Sequence, residues 1–242
     1  MTHQVIRSDS PAERPRKMLI IFATLHFVFF FASLIAIPMF APGARIPNPF
    51  GNDEGVRVFY NTASSAIRVC DFFQLESALC LAVLSPLLSD ALSTLNKRSG
   101  AAWMTLAGGS GAAVMLSLAA LVSWAVASPG ASDVGPVLHV FQFIPFLLGG
   151  PAWAGFFAIF VAGICMGTSG ILPRWLRGAG IFIGCVSALA TPVLLTIVFA
   201  PYLPVARFLG FVWLIVVSVY LARQRGVETT RPGPLRADAG SI

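Results

Sequence analysis

Charged and amide side chains within one apolar segment are the residues of this sequence best suited to chemistry. The segment at 66–88 carries Arg68, Asp71, Gln74 and Glu76 among mostly apolar neighbours. Charges inside a bilayer are costly, so they usually face the interior of a helix bundle, find a partner and mark a functional site. Arg68 and Asp71 are three residues apart, a spacing at which helical side chains meet. The spacing predicts a direct, mainly structural ion pair.

Glu76 lies deepest in the same segment and needs a different explanation. At 100° per residue it falls about 140° around the helix from Asp71, so the two carboxylates cannot form one site on this helix. Its helical neighbours offer no positive charge. We therefore expect Glu76 to face the fourth or sixth apolar segment, protonated or hydrogen-bonded there. Such a group serves a proton-coupled carrier or is merely tolerated in a structural protein.

Three more polar side chains open later apolar segments. His139 and Gln142 begin the fourth segment and share a helix face, and Arg207 begins the sixth. If successive segments alternate in direction, all three lie at the depth of Arg68. The sequence thus predicts an outward-facing polar pocket, and the alternative is that each group satisfies loop backbone or lipid headgroups. The candidate pocket residues are Arg68, Asp71, Gln74, Glu76, His139, Gln142 and Arg207.

Catalytic and metal-binding motifs are not evident. His26 falls about 12 Å from the inner edge of its segment at the 1.5 Å rise of a helix, and His139 starts at the opposite edge. Two axial haem ligands need one depth, so we expect no haem, and His3 in the polar N-terminal segment does not complete a metal site. The run Gly108–Gly111 resembles a phosphate loop, but it sits inside an apolar segment and indicates helix contact. We expect no cofactor and no metal, and a membrane enzyme ranks third among the functional classes.

The elements that must position these residues are membrane helices. The chain is 57% hydrophobic and 11% charged, whereas soluble domains average about 45–50% and about 25%. A membrane helix needs about 20 mostly apolar residues. Six segments qualify, at 18–40, 66–88, 101–127, 137–166, 179–200 and 205–221. The sequence therefore predicts an all-α bundle of six transmembrane helices.

Basic residues set the predicted orientation. Twelve of the 16 Lys and Arg residues fall on one side of the six spans. The positive-inside rule then places both termini in the cytoplasm, most simply at a bacterial inner membrane. The net charge of +6 thus reports orientation, and no nucleic-acid partner is expected. The twelve residues are Arg7, Arg14, Arg16, Lys17, Lys97, Arg98, Arg174, Arg177, Arg223, Arg225, Arg231 and Arg236.

The predicted organisation is one membrane domain with short tails. Residues 1–17 are a disordered cytoplasmic N-terminus, 18–222 the six-helix domain, and 223–242 a disordered cytoplasmic C-terminus. The apolar run from residue 18 exceeds the roughly 7–15 residues of a signal-peptide core, so it is a retained span, with cleavage near Ala44 as the alternative. The largest outer segment, 41–65, is extended at its prolines and then forms a short helix on the membrane surface.

Glycines and prolines inside the spans predict close packing and one broken helix. Two G-x-x-x-G motifs allow helices to approach within the chain, in a homo-oligomer or against a complex partner; they are Gly163/Gly167 and Gly180/Gly184. Pro145, Gly149, Gly150 and Pro151 cluster in the middle of the fourth segment. A broken helix there would open a cavity, although proline and glycine are also simply commoner in membrane helices.

The segment Ser169-Gly-Ile-Leu-Pro-Arg-Trp-Leu-Arg-Gly178 resembles a group of uncharacterised bacterial multi-pass membrane proteins. That group carries a similar Leu-Pro-Arg turn between late spans, an Arg and an Asp three apart in the second span, and a His that opens the span before the turn. Here Arg177 interrupts the turn pattern. The resemblance implies a membrane helix bundle and no particular activity.

Two functional classes follow from the sequence. The first is a protein that binds or transports a small molecule through the outward-facing polar pocket, whose substrate the sequence does not specify. The second is a non-catalytic accessory or structural subunit of a membrane complex. A cavity that reaches Glu76 favours the first class, and a filled core with an apolar G-x-x-x-G face against a partner favours the second.

Overall fold

The computed structural model describes residues 13–44, 46–47, 53–95, 99–128 and 137–228. The predicted disorder of residues 1–12 and 229–242 lies outside these ranges. Helix covers 13–17 and 223–228, so the first and last helices extend beyond the apolar runs that predicted them.

Seven α-helices build the described chain, which contains no strand. They are α1 Glu13–Phe40, α2 Asp53–Leu95, α3 Ser99–Val126, α4 Val137–Leu147, α5 Trp153–Gly167, α6 Arg174–Leu189 and α7 Tyr202–Glu228. A π-helical turn, Leu148–Ala152, joins α4 to α5 into one span, and two 3-10 turns, Thr191–Leu194 and Ile197–Phe199, connect α6 to α7. Six of the resulting helical segments are long and apolar enough to cross a membrane. The predicted all-α, six-span architecture is confirmed.

The six spans form a closed ring in chain order. Each span packs against the spans before and after it, and α7 returns to pack against α1. Short connections make neighbouring helices antiparallel. The first and last described residues therefore lie on the same side of the ring.

Large apolar side chains fill the centre of the ring. Trp153 and Phe157 stack with ring centroids 4.7 Å apart, and Phe211 meets the Trp153 ring edge-on at 5.9 Å. All three are fully buried, together with Phe160 and Leu84. Burial of each such side chain contributes about 1.5–3 kcal/mol in water-to-apolar transfer terms, but between helices in lipid the gain comes from close packing.

Glycines bring the helices of the ring into close contact. A Cβ added to Gly108 would lie 2.3 Å from the Phe160 backbone nitrogen, and one added to Gly163 would lie 2.6 Å from the Thr105 nitrogen. Gly180 is covered by the Trp213 ring in the same way, at 2.4 Å. The expected helix contact at Gly108 is confirmed. The G-x-x-x-G glycines contact neighbouring helices of the same chain, and a homo-oligomer or complex partner at these faces stays a prediction.

The start of α2 differs from the prediction. The expected surface helix after residue 52 is instead the first part of α2, which runs without interruption for 43 residues. At 1.5 Å per residue it is about 64 Å long, twice the roughly 30 Å hydrocarbon core of a bilayer. Val56, Phe59 and Ala63 are buried against Val126 and Leu138 at the ends of α3 and α4. Their helical spacing explains why this segment continues the helix and does not lie flat.

Candidate functional site

A cavity of about 440 Å³ opens among α1, α2, α3, α4 and α7. It lies at the end of the ring opposite the first and last described residues, because its walls come from the C-terminal ends of α1 and α3 and the first turns of α4 and α7. Ile46 and Pro47, between α1 and α2, also line it. Polar groups on its wall are Tyr60, Asp71, Gln74, Ser123, Gln142 and Arg207.

Asp71 supplies the negative charge of this cavity. Its side chain is 5% exposed, on the face of α2 that packs against the antiparallel α3. Ser123 of α3 lies beside both the Asp71 carboxyl and the Tyr60 phenol. The Oδ2 atom of Asp71 is buried and has no hydrogen-bond partner among the described residues. Asp71 therefore brings an oxygen acceptor that the fold does not satisfy.

Arg207 supplies the positive charge, and its guanidinium group is held in place. Nη2 donates a hydrogen bond to the Gly149 carbonyl of the π-helical turn. The guanidinium carbon lies 4.6 Å from the centroid of the Trp153 ring and 5.2 Å from that of Phe30. Cation–π contacts of this kind contribute about 0.5–2 kcal/mol each. The group is thus oriented by contacts with two other spans before any ligand arrives.

The π-helical turn explains why the Gly149 carbonyl is available. In an α-helix this oxygen would accept from the amide four residues later, that of Trp153. Here the Trp153 amide donates to the carbonyls of Leu148 and Gly150 instead. Pro151 cannot donate a backbone hydrogen bond at all. The wider turn releases one carbonyl, and Arg207 takes it. At its Pro–Gly cluster the fourth span therefore carries a π-helical turn, and the helix continues on both sides of it.

Two glutamines complete the polar wall. Gln74 follows Asp71 by one helical turn on α2, and Gln142 projects from α4. The Gln142 Oε1 atom is buried without a partner among the described residues. The structure thus brings Asp71, Gln74, Gln142 and Arg207 to one cavity.

Arg68 does not pair with Asp71, which corrects the predicted ion pair. No ion pair joins these two side chains, and the buried Nε of Arg68 has no partner among the described residues. The three-residue spacing leaves the two groups about 60° apart around the helix. Asp71 points toward α3, whereas Arg68 shares its side of α2 with the exposed Phe72. The two side chains therefore leave α2 on different sides and do not meet.

Glu76 does not line the cavity either. It is half-buried on the outer side of α2, near Cys80 and between Phe72 and Leu79, which are 53% and 49% exposed. It has no ion-pair partner among the described residues. The expectation that Glu76 faces the fourth or sixth span is therefore wrong, because α2 presents that side to the membrane and packs chiefly on α1 and α3. The backbone of His139 belongs to α4, and its side chain lies outside what the structure describes.

His26 has a structural environment. Its Nδ1 lies 2.9 Å from the Ser77 carbonyl and 2.8 Å from the Ser77 hydroxyl, which donates to the His26 carbonyl at 2.8 Å. Its ring meets Phe211 edge-on at 4.4 Å. These contacts join α1 to α2 and use the imidazole for packing. Among the described residues no cluster of His, Cys, Asp and Glu is suited to a metal ion.

Sequence reasoning missed Tyr60, Ser123 and the Gly149 carbonyl. Tyr60 lies in the segment predicted as a surface helix, and Ser123 is a single hydroxyl near the end of an apolar span. The antiparallel arrangement of α2 and α3 is what places Ser123 beside Asp71. The Pro–Gly cluster indicated a broken helix but not which carbonyl the break would release.

No family model matches the chain, and neither a curated protein nor a solved structure matches it, so the resemblance suggested by the Leu-Pro-Arg turn stays a prediction.

Proposed function

We propose that this multi-pass membrane protein binds a small molecule in the cavity between α2, α4 and α7, as a carrier or a receptor. One observation carries the proposal: a single cavity collects a carboxylate, a guanidinium and two amides from three different spans. Ligand sites are typically concave, mostly apolar, and equipped with a few convergent polar groups. Polar groups at membrane depth that face a cavity usually mark a ligand pathway.

The side of the membrane follows from the distribution of charge. Twelve of the 16 basic residues favour a cytoplasmic position for both chain ends, which fits a bacterial inner membrane. The cavity then opens to the exterior. The opposite half of the ring is filled by side chains such as Leu84, Leu88 and Phe160, all fully buried. A carrier would have to move α4–α5 against its neighbours to pass a ligand, and the π-helical turn is a natural point for that movement.

The thiol of Cys70 tests the proposal because it lines the cavity. Cys70, Cys80 and Cys165 are buried, whereas Cys185 is exposed on α6. A variant with Cys80→Ala, Cys165→Ala and Cys185→Ala keeps only Cys70. We expect a charged, membrane-impermeant methanethiosulfonate reagent to modify it from the side opposite the chain ends and not from the other.

The matched control keeps Cys165 as the single thiol. Cys165 is packed in the filled half of the ring beside the Arg177 carbonyl and is expected to react from neither side. If Cys70 reacts as slowly as Cys165, water does not reach the cavity. That result would refute binding from this side and favour a structural subunit.

A further inference from the structure

We infer that the cavity is built for a small zwitterion with an apolar body, whose ammonium group meets Asp71 and whose acidic group meets Arg207. This inference rests on the proposed binding function and names the ligand class. It starts from the placement of charge: both signs line one cavity, and neither group has an ion-pair partner among the described residues. A buried charge without a partner is strongly disfavoured. A ligand with both signs neutralises both groups.

The Arg207 side of the cavity suits an acidic group. One of its N–H groups is used by the Gly149 carbonyl, and its buried Nε has no partner in the part of the chain that the structure describes. Guanidinium presents donors in a planar fork that matches a carboxylate or phosphate. The Phe30 and Trp153 rings fix the plane of that fork, so little conformational entropy remains to be lost on binding.

The Asp71 side suits an ammonium group. Asp71 Oδ2 and Gln142 Oε1 are both buried oxygen acceptors without a partner among the described residues. An ammonium group carries three donors and no acceptor, so it can satisfy both oxygens at once. The hydroxyls of Tyr60 and Ser123 lie beside this position and can accept the third hydrogen bond.

The rest of the cavity wall is mostly apolar. Phe30, Phe59, Phe146, Phe208 and Leu116 contribute to its walls. The volume of about 440 Å³ falls within the roughly 300–1,000 Å³ of small-molecule sites. A cation alone would leave Arg207 without a counter-charge, and an anion alone would leave Asp71 without one. The chemistry of the walls therefore selects a molecule with both charges on an apolar body, as in an aromatic amino acid.

Three probes with one aromatic body separate these cases. Phenylalanine is the zwitterion, 2-phenylethylamine lacks the carboxylate, and 3-phenylpropionate lacks the ammonium. Binding to the purified full chain in lipid nanodiscs is measured by calorimetry near neutral pH. We expect phenylalanine to bind at least about tenfold more tightly than either single-charge probe, since each of those probes lacks one charged hydrogen-bonding group.

Variants assign each end of the ligand. Asp71→Asn is expected to weaken the binding of phenylalanine at least about tenfold and to leave the binding of 3-phenylpropionate unchanged. Unchanged binding of 3-phenylpropionate also shows that the variant folds. Gln142→Met removes the second acceptor and should weaken the binding of both phenylalanine and 2-phenylethylamine. This variant therefore tests the inference if Asp71→Asn does not fold. The matched control is Glu76→Gln, the same carboxyl-to-amide change on α2 outside the cavity, which should change nothing.

The outcomes are distinct. Equal affinity for all three probes, or a loss on Glu76→Gln as large as that on Asp71→Asn, overturns the zwitterion inference and leaves a binding cavity intact. No binding of any probe by a protein whose Cys70 is reactive also overturns the inference. An unreactive Cys70 overturns the proposed function itself.

Discussion

Replacing Gly108 by alanine should loosen the contact between α3 and α5. The added Cβ would lie 2.3 Å from the Phe160 nitrogen and 2.8 Å from the Phe156 oxygen, and both are backbone atoms. Ordinary contact begins near 3.4 Å, and a backbone cannot swing aside as a side chain can. The two helices must therefore separate by about an ångström, and overpacking of this kind costs about 1–3 kcal/mol.

The matched control is Gly178→Ala on α6, where an added Cβ meets nothing within 4 Å. Alanine is about 1 kcal/mol better than glycine inside a helix, so this variant should be unchanged or slightly more stable. In detergent, thermal unfolding followed by size-exclusion chromatography should show Gly108→Ala melting roughly 2–12 °C lower, at about 2–4 °C per kcal/mol. Equal melting temperatures for both variants would mean that α3 and α5 are not in backbone contact at Gly108.

Two further predictions concern helix contacts that the sequence did not settle. Ser77→Ala removes the hydroxyl that donates to the His26 carbonyl and should lower the free energy of unfolding by about 1–2 kcal/mol; Ser93→Ala, an exposed position bonded only to its own helix, should cost less than about 0.5 kcal/mol. If both changes cost the same, Ser77 does not join α1 to α2. Arg68→Ala and Asp71→Ala should have additive effects on the melting temperature, because no ion pair joins the two side chains. If the double variant loses less than the sum of the two single losses, the side chains do form an ion pair.

The architecture followed from the sequence because lipid imposes simple rules. Length and apolar content identify a span, and basic residues between spans predict its direction. The start of α2 was not visible, because its apolar residues from Val56 to Ala63 are buried only through contacts with distant parts of the chain, at the ends of α1, α3 and α4.

The site was predicted in part, for a similar reason. The depth of a residue in the membrane can be counted from the end of its apolar segment, and this count placed Asp71, Gln142 and Arg207 at one level of the bundle. Which way a side chain points around its helix depends on the neighbours that surround it. Arg68 and Glu76 are on the same helix as Asp71 but lie on sides of α2 that do not face the cavity. That rotation is a property of the whole ring, and no local spacing reveals it.

The most direct test of the account is an experimental structure of the full chain in a lipid nanodisc, with and without phenylalanine. We predict an open cavity with Asp71 and Arg207 on separate walls, Arg207 bound to the Gly149 carbonyl, and added density between the two charges when phenylalanine is present. A closed ring in which Asp71 and Arg207 form a direct ion pair, with no space between them and no density from the added ligand, would contradict it.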